Sequence, residues 1–371
     1  MTSQLLNSKN MTASSYLARY ILLNTVDISD YNIFPKRDIQ NSPPVFNFSP
    51  SDNQDVLPLL DQIVPAGAKQ HGAITIDQFL EHNGATAFLV IKNDQLLFEH
   101  YYNSYERSSI CTSFSTAKSF VSALIGIALH EKLIDQLGDP ITKYLPELTE
   151  SHWSAITIRH LVSMSSGLKY DLHGFLPWND EPRVYYSLDL RRLAQHASRA
   201  EPPGVQFHYN NYNLILLGMI LEGVTGRTVS EYLQEKIWKP LGMEFPASWS
   251  LDSQHSGMEK MESGLNARAI DFAKFGRLYL RHGDWDGKQI IPESWVVEST
   301  TVEPDSKWTN YKYLWWIPRT GKGRFMAVGN LGQFIYVAPD KDCIILRFGR
   351  GKPHNWQKVY PQLFGALAES L

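Results

Sequence analysis

Ser115-Thr116-Ala117-Lys118 sets a hydroxyl and an amine three residues apart, a spacing that on a helix puts both on one face. A lysine in that position can take the proton from its neighbour's hydroxyl, provided burial has stripped the lysine of its own charge. The chemistry expected of the pair is attack on a carbonyl carbon through an acyl-serine. The residues that follow favour burial: Phe120, Val121, Ala123, Leu124, Ile125, Ile127, Ala128 and Leu129 are broken clearly only by Ser119, Ser122 and His130. A helix apolar on nearly every side belongs in an interior. The same spacing recurs at Ser166 and Lys169, but Gly167 stops a helix there, and that lysine is expected in water.

Two further segments could complete such a site. In Pro203–Asn211, ahead of the apolar run Leu214–Leu221, a tyrosine and an asparagine lie two residues apart, Tyr209 and Asn211. A phenol beside an ammonium can pass a proton between nucleophile and leaving group. A carboxamide can hold the substrate and the lysine by hydrogen bonds. Tyr101 and Asn103 repeat the spacing, although the edge of a hairpin accounts for that copy. In Phe325–Gln333, Gly329 and Gly332 flank the start of a strand and permit close backbone approach. An exposed N–H there, with that of Ser115, would make a two-donor oxyanion hole.

The elements that must position these groups read as follows. A helix is expected over 74–82, then strands over 86–91 and 95–102 joined by a turn at Asn93-Asp94. From Ser115 to about Leu280 the pattern is mainly helical, with helices over 157–164, 229–237 and 272–280. Strands return at 313–317, 333–337 and 343–348, before a helix from about Gln357 to Leu371. Strands at both ends with helices between them imply a discontinuous α/β domain, its sheet built from residues 61–114 and 311–371. Residues 115–310 form the mainly helical part and residues 1–60 an extension and linker. A cleft between the layers is the expected site. Tyr170, Trp178, Trp315 and Trp316 are candidates to line it, although strand alternation lets only one of the paired tryptophans point in.

A net charge of −3 without a basic stripe excludes a nucleic-acid footprint. Two cysteines, Cys111 and Cys343, cannot form a disulfide scaffold, and burial as small hydrophobes is their expected fate. No His-Glu-x-x-His or clustered Cys/His spacing calls for a metal, and the chemistry needs no cofactor. The apolar stretch from Tyr20 to Val26 is too short to span a membrane, so a cytoplasmic protein is expected, without membrane or nucleic-acid partners.

The three motifs, in this order, resemble those of the serine β-lactamase-related superfamily, especially its class C-like branch of penicillin-binding proteins, esterases and dimer hydrolases. Asp139–Pro146, Ile156–Leu161 with Ser165–Gly167, Pro203–Gly218, Pro240–Met243 and Ala269–Gly276 look like that family's framework, and the resemblance covers roughly residues 80–350. It implies a β-lactamase/penicillin-binding-protein-like α/β fold: an antiparallel sheet flanked by terminal helices, with a helical insert. It further implies Ser115 as the acylated serine, Lys118 as its partner, Tyr209 as acid/base and Asn211 as the loop asparagine. Gly329-Asn330-Leu331 takes the third-motif place, with the Asn330 N–H as oxyanion donor and Ala327 as the competing choice. The family's usual Lys-Thr-Gly is absent there, so a cation for a β-lactam carboxylate is missing unless Arg324 or Lys322 compensates. An amide or ester of a small molecule is the expected substrate, ahead of a D-peptide or a β-lactam; a non-catalytic binding descendant is the alternative.

Overall fold

The computed structural model describes residues 15–22, 26–51, 56–63, 75–302, 310–318, 323–351 and 356–371. Asn93 and Asp94 both adopt left-handed backbone (φ 51° and 59°), the geometry that lets two residues close a hairpin between Ala85–Lys92 and Gln95–Tyr101. This hairpin sits in an eight-stranded sheet. Its order runs Tyr311–Lys312, Trp315–Trp316, Phe325–Gly329, Gln333–Ala338, Cys343–Gly349, Ala85–Lys92, Gln95–Tyr101 and Ser49–Pro50. Neighbours are antiparallel except the last pair. Segments from the two ends of the chain therefore meet at Cys343–Gly349 against Ala85–Lys92, in register from Cys343–Lys92 to Phe348–Ala87.

Alternation along Ala85–Lys92 divides the interior in two. Phe88 and Val90 join the helices Ile76–His82 and Trp356–Ser370 on one face, through Phe79, Tyr360 and Phe364. Ala87, Leu89 and Ile91 face the larger core with the helices Ala117–His130 and Ala269–Leu280. Phe120 stacks on Phe275 there, ring centroids 3.6 Å apart. The fold is the expected α/β arrangement, with helices on both faces of an antiparallel sheet. Among the described residues no helix is long and apolar enough to cross a membrane.

Two local expectations need correction. Residues 313–317 are not one strand but the turn and second arm of a tight hairpin, with Tyr313 and Leu314 at φ 36° and 71°. Tertiary packing imposes this: Tyr313 stacks on Trp295, and the Leu314 carbonyl accepts a hydrogen bond from Ser119 Oγ (2.9 Å). The helix expected over 229–237 is α-helical only over Val229–Leu233 and continues as a π turn, Gln234–Trp238.

A second sheet orders Lys36–Ile39, Ala247–Ser250, Leu265–Ala267 and Cys111–Thr112. Residues read from sequence as part of the N-terminal extension thus contribute a strand to the sheet that delivers the chain to Ser115. Cys111 and Cys343 are free and buried, and burial pushes both thiols up to about 12.

Candidate active site

Strand Cys111–Thr112 ends in a short turn, Phe114–Thr116, from which the buried helix Ala117–His130 departs. Ser113 anchors the turn: its N–H donates to Leu265 O (2.8 Å), and its carbonyl accepts from Thr116 N and Oγ1. Phe114 is held at φ 43°, a left-handed conformation costly for a non-glycine residue and tolerated only where the surroundings over-determine it. The turn leaves Ser115 partly exposed while Lys118, one turn on, is buried. Lys118 Nζ lies 2.8 Å from Ser115 Oγ, donates to Glu262 O (2.8 Å), and stands 5.0 Å from the centroid of the Tyr209 ring. Hydroxyl and amine come from one turn-to-helix segment, and the phenol ring from the distant loop ahead of Asn211–Thr225.

Tyr209 is fixed by aromatic neighbours, stacked on Trp316 (6.1 Å) and edge-on to Tyr311 (6.2 Å). Burial, and then the proximity of Tyr209, push the Tyr311 phenol well above its ordinary range, which keeps it neutral. Asn210 caps the helix Asn211–Thr225 by accepting from Tyr212 N, so Asn211 occupies its first turn. The Asn211 amide nitrogen donates to Tyr170 OH and Glu181 Oε2 (both 3.0 Å). Its Oδ1, the atom that could accept from an amine, is buried without a partner. Tyr170 in turn donates to Glu181. Burial raises the Glu181 carboxyl above its ordinary range, against the pulls of Tyr170 and Lys118.

Asn330 begins the turn Asn330–Gly332, which completes itself through left-handed backbone at Leu331 (φ 58°) and Gly332 (φ 82°). Gly329 is extended, and a Cβ there would fall 2.4 Å from Ser113 O, so only glycine lets the strand end approach the Ser115 turn this closely. Two buried side chains clamp the turn from behind. Gln333 Nε2 donates to Asn330 O (2.9 Å) and Gly349 O (2.6 Å); Arg347 donates to Leu331 O and Gly332 O (3.2 and 2.6 Å). Ala327, the competing oxyanion donor, lies inside the strand Phe325–Gly329, paired with Ile335.

Ser115, Glu181, Asn211, Glu262, Ser263 and Asn330 are the polar lining of a cavity of about 180 Å³. Sequence reasoning missed both carboxylates. Glu262 lies in Met258–Ser263, whose charges look like a surface run, yet Glu259, Lys260 and Glu262 are all buried. Glu262 Oε1 accepts from Ser263 Oγ (2.9 Å) and faces Lys260 Nζ (3.4 Å), while Oε2 has no partner. Burial holds the Lys260 amine below its ordinary range against the attraction of Glu262. No local signal marks Glu181, which only the packing of its helix, Asp180–Tyr186, brings beside Asn211.

Several expected lining residues lie elsewhere. Trp178 is 69% exposed and borders a separate polar groove with Lys169, Asp171 and His196. Trp315 is wholly buried among Phe275, Tyr279 and Phe325, because the hairpin turn sets the phase that leaves Trp316 beside Tyr209. Tyr170 supports Asn211 from behind. Arg324 is spent on Asp340 and Glu369 and supplies no cation to the cavity; Lys322 lies outside the described residues. Lys169, of the second Ser/Lys pair, is exposed.

A family model described as Beta-lactamase matches residues 73–358. The chain belongs to that family. It is 25% identical over 293 residues to the 6-aminohexanoate-dimer hydrolase of Paenarthrobacter ureafaciens, covering 73% of this chain and 74% of that one. Among solved structures it is similar to one titled "Putative 6-aminohexanoate-dimer hydrolase from Bacillus anthracis", with TM-score 0.81, 28% identity and 94% of each chain covered. The penicillin binding protein from Bacillus halodurans shares the fold at 19% identity, TM-score 0.62, over 80% of this chain and 99% of that one. This is therefore a β-lactamase-family hydrolase related to 6-aminohexanoate-dimer hydrolases.

Proposed function

We propose that the protein hydrolyses an amide or ester bond of a small molecule through an acyl-serine at Ser115. The observation that carries this reading is the 2.8 Å contact between Ser115 Oγ and Lys118 Nζ, with the Tyr209 ring 5.0 Å from the same amine. Lys118 in its neutral form takes the hydroxyl proton as Oγ bonds to the substrate carbonyl carbon. The N–H groups of Ser115 and Asn330 stabilise the tetrahedral oxyanion, each worth about 3 kcal/mol. As the carbon–leaving-group bond breaks, Tyr209 gives its proton to the departing nitrogen or oxygen and recovers one from the Lys118 ammonium. Water then enters and loses a proton to the same relay as it bonds to the acyl carbon; the relay returns that proton to Ser115 Oγ as the carbon–Oγ bond breaks, releasing the acid. No cofactor takes part.

An amide or ester is favoured over a β-lactam by the electrostatics of the cavity. Glu181 and Glu262 line it, and Gly-Asn-Leu stands where a Lys-Thr-Gly cation would meet a substrate carboxylate. Intact-mass labelling with a fluorophosphonate tests the reading: one adduct is expected, mapping to Ser115 and absent from Ser115→Ala. p-Nitrophenyl butyrate should turn over faster than nitrocefin. An adduct on another residue, or faster nitrocefin hydrolysis, would overturn the assignment or the substrate class respectively.

A further inference from the structure

We propose that Tyr20, on the helix Ser15–Leu22, and Val26 form the wall that measures the acyl part of the substrate; this rests on the acyl-serine reading above. The rest of the cavity lining is largely apolar, with Tyr20 and Val26 together with Phe175, Val184 and Tyr186. Tyr209, which would protonate the leaving group, stands outside this lining against Trp316 and Tyr311. The leaving group therefore departs on the Tyr209 side, and the cavity holds what remains bonded to Ser115.

The helix is built in rather than laid on. Arg19 is buried, its guanidinium donating to Asp252 O (2.7 Å) and Ser187 O (3.3 Å) and lying 5.4 Å from the Phe34 ring centroid. With that anchor, Tyr20 OH donates to Phe175 O (2.6 Å) and Tyr16 OH to Pro177 O (2.5 Å). The Tyr20 ring meets Tyr186 edge-on at 6.2 Å. One helix thus anchors itself, ties down the 175–177 loop and presents an aromatic ring to the cavity. At about 180 Å³ the cavity is below the roughly 300–1,000 Å³ of ordinary ligand pockets, so it fits a short acyl group.

The test is a chain-length series of p-nitrophenyl esters from acetate to octanoate, alongside labelling by ethyl and octyl fluorophosphonates. A pocket that excludes a methylene discriminates by about 10–200-fold. The full-length protein should favour acetate or butyrate over octanoate by at least about tenfold, and the ethyl probe over the octyl probe likewise. Tyr20→Ala should raise the octanoate-to-acetate ratio of kcat/KM by about tenfold, and Val26→Phe should lower the butyrate-to-acetate ratio by a similar factor. Equal labelling by both probes, unchanged ratios, or a parallel fall on every ester would overturn the proposal; the last would mark the helix as merely structural. If Tyr20→Ala does not fold, the Val26→Phe ratio and the wild-type probe rates decide. Absence of any Ser115 adduct sinks the acyl-serine reading instead, whereas adducts indifferent to chain length sink the wall alone.

Discussion

Gly329→Ala tests the oxyanion geometry with a single methyl group. Gly329 has φ −125° and ψ 159°, extended backbone that alanine adopts freely, so conformational strain does not enter. The effect is steric. The added Cβ would lie 2.4 Å from Ser113 O, a backbone atom, and 3.1 Å from Gln333 Cβ. Carbon–oxygen contacts settle at about 3.3–3.6 Å, so the strand end and the Ser115 turn must part by roughly 1 Å. That movement carries Asn330 away from the oxygen it would stabilise. Misplacement by about 1 Å costs on the order of 10² in rate, and loss of one oxyanion donor about 10²–10³. The expected result is kcat for p-nitrophenyl butyrate lower by about 10²-fold with KM little changed, and a stability loss of about 1–3 kcal/mol from overpacking. Gly138→Ala, where an added methyl meets nothing within 4 Å, serves as the control and should retain full activity. Stopped-flow acylation rates together with thermal melts separate the two effects. A folded Gly329→Ala protein with kcat within about twofold of wild type would refute the assignment of this turn to the oxyanion.

Three further outcomes follow from the site. Lys118→Ala should lower kcat by at least about 10³-fold while circular dichroism shows the fold retained; a modest loss would make another group, with Tyr209 the first to examine, the principal base. Arg347→Met removes a wholly buried guanidinium from the carbonyls of Leu331, Gly332, Asn83 and Gly351. It should cost about 2–4 kcal/mol in urea unfolding, relief of a buried charge offsetting part of the lost hydrogen bonding, and should also lower kcat through the loosened turn. Glu181→Gln tests a pH dependence. Burial raises the folded carboxyl above its unfolded value of about 4.3, so between the two values the folded state binds more protons and stability falls as pH rises. The glutamine variant should therefore gain stability relative to wild type as pH rises from about 4 through the folded value; a difference independent of pH would overturn the electrostatic reading.

How much of this was legible in the sequence follows from the range of the forces involved. Ser115 and Lys118 could be paired because helical geometry brings positions three apart together whatever the remaining chain does. The strands 85–92 and 95–101 could be placed because Asn93-Asp94 carries its own turn chemistry. The carboxylates were invisible because nothing near Glu181 or Glu262 in the chain says which other segment will enclose it. Which of Trp315 and Trp316 stands beside Tyr209 was illegible for a related reason. A two-residue period fixes that they point oppositely, but the phase is set by the left-handed pair Tyr313-Leu314, and neither residue favours that conformation. Phe114 precedes the nucleophile, Leu331 follows the oxyanion candidate, and Leu314 binds Ser119 on the nucleophile's helix; all three are non-glycine residues at positive φ. Local preference is overruled where distant segments must be held at fixed separation, and those are the positions at which a site is built. Phe114 and Leu331, which flank the nucleophile and the oxyanion candidate, are such positions, although left-handed backbone also occurs far from the site, as at Lys132 and His282.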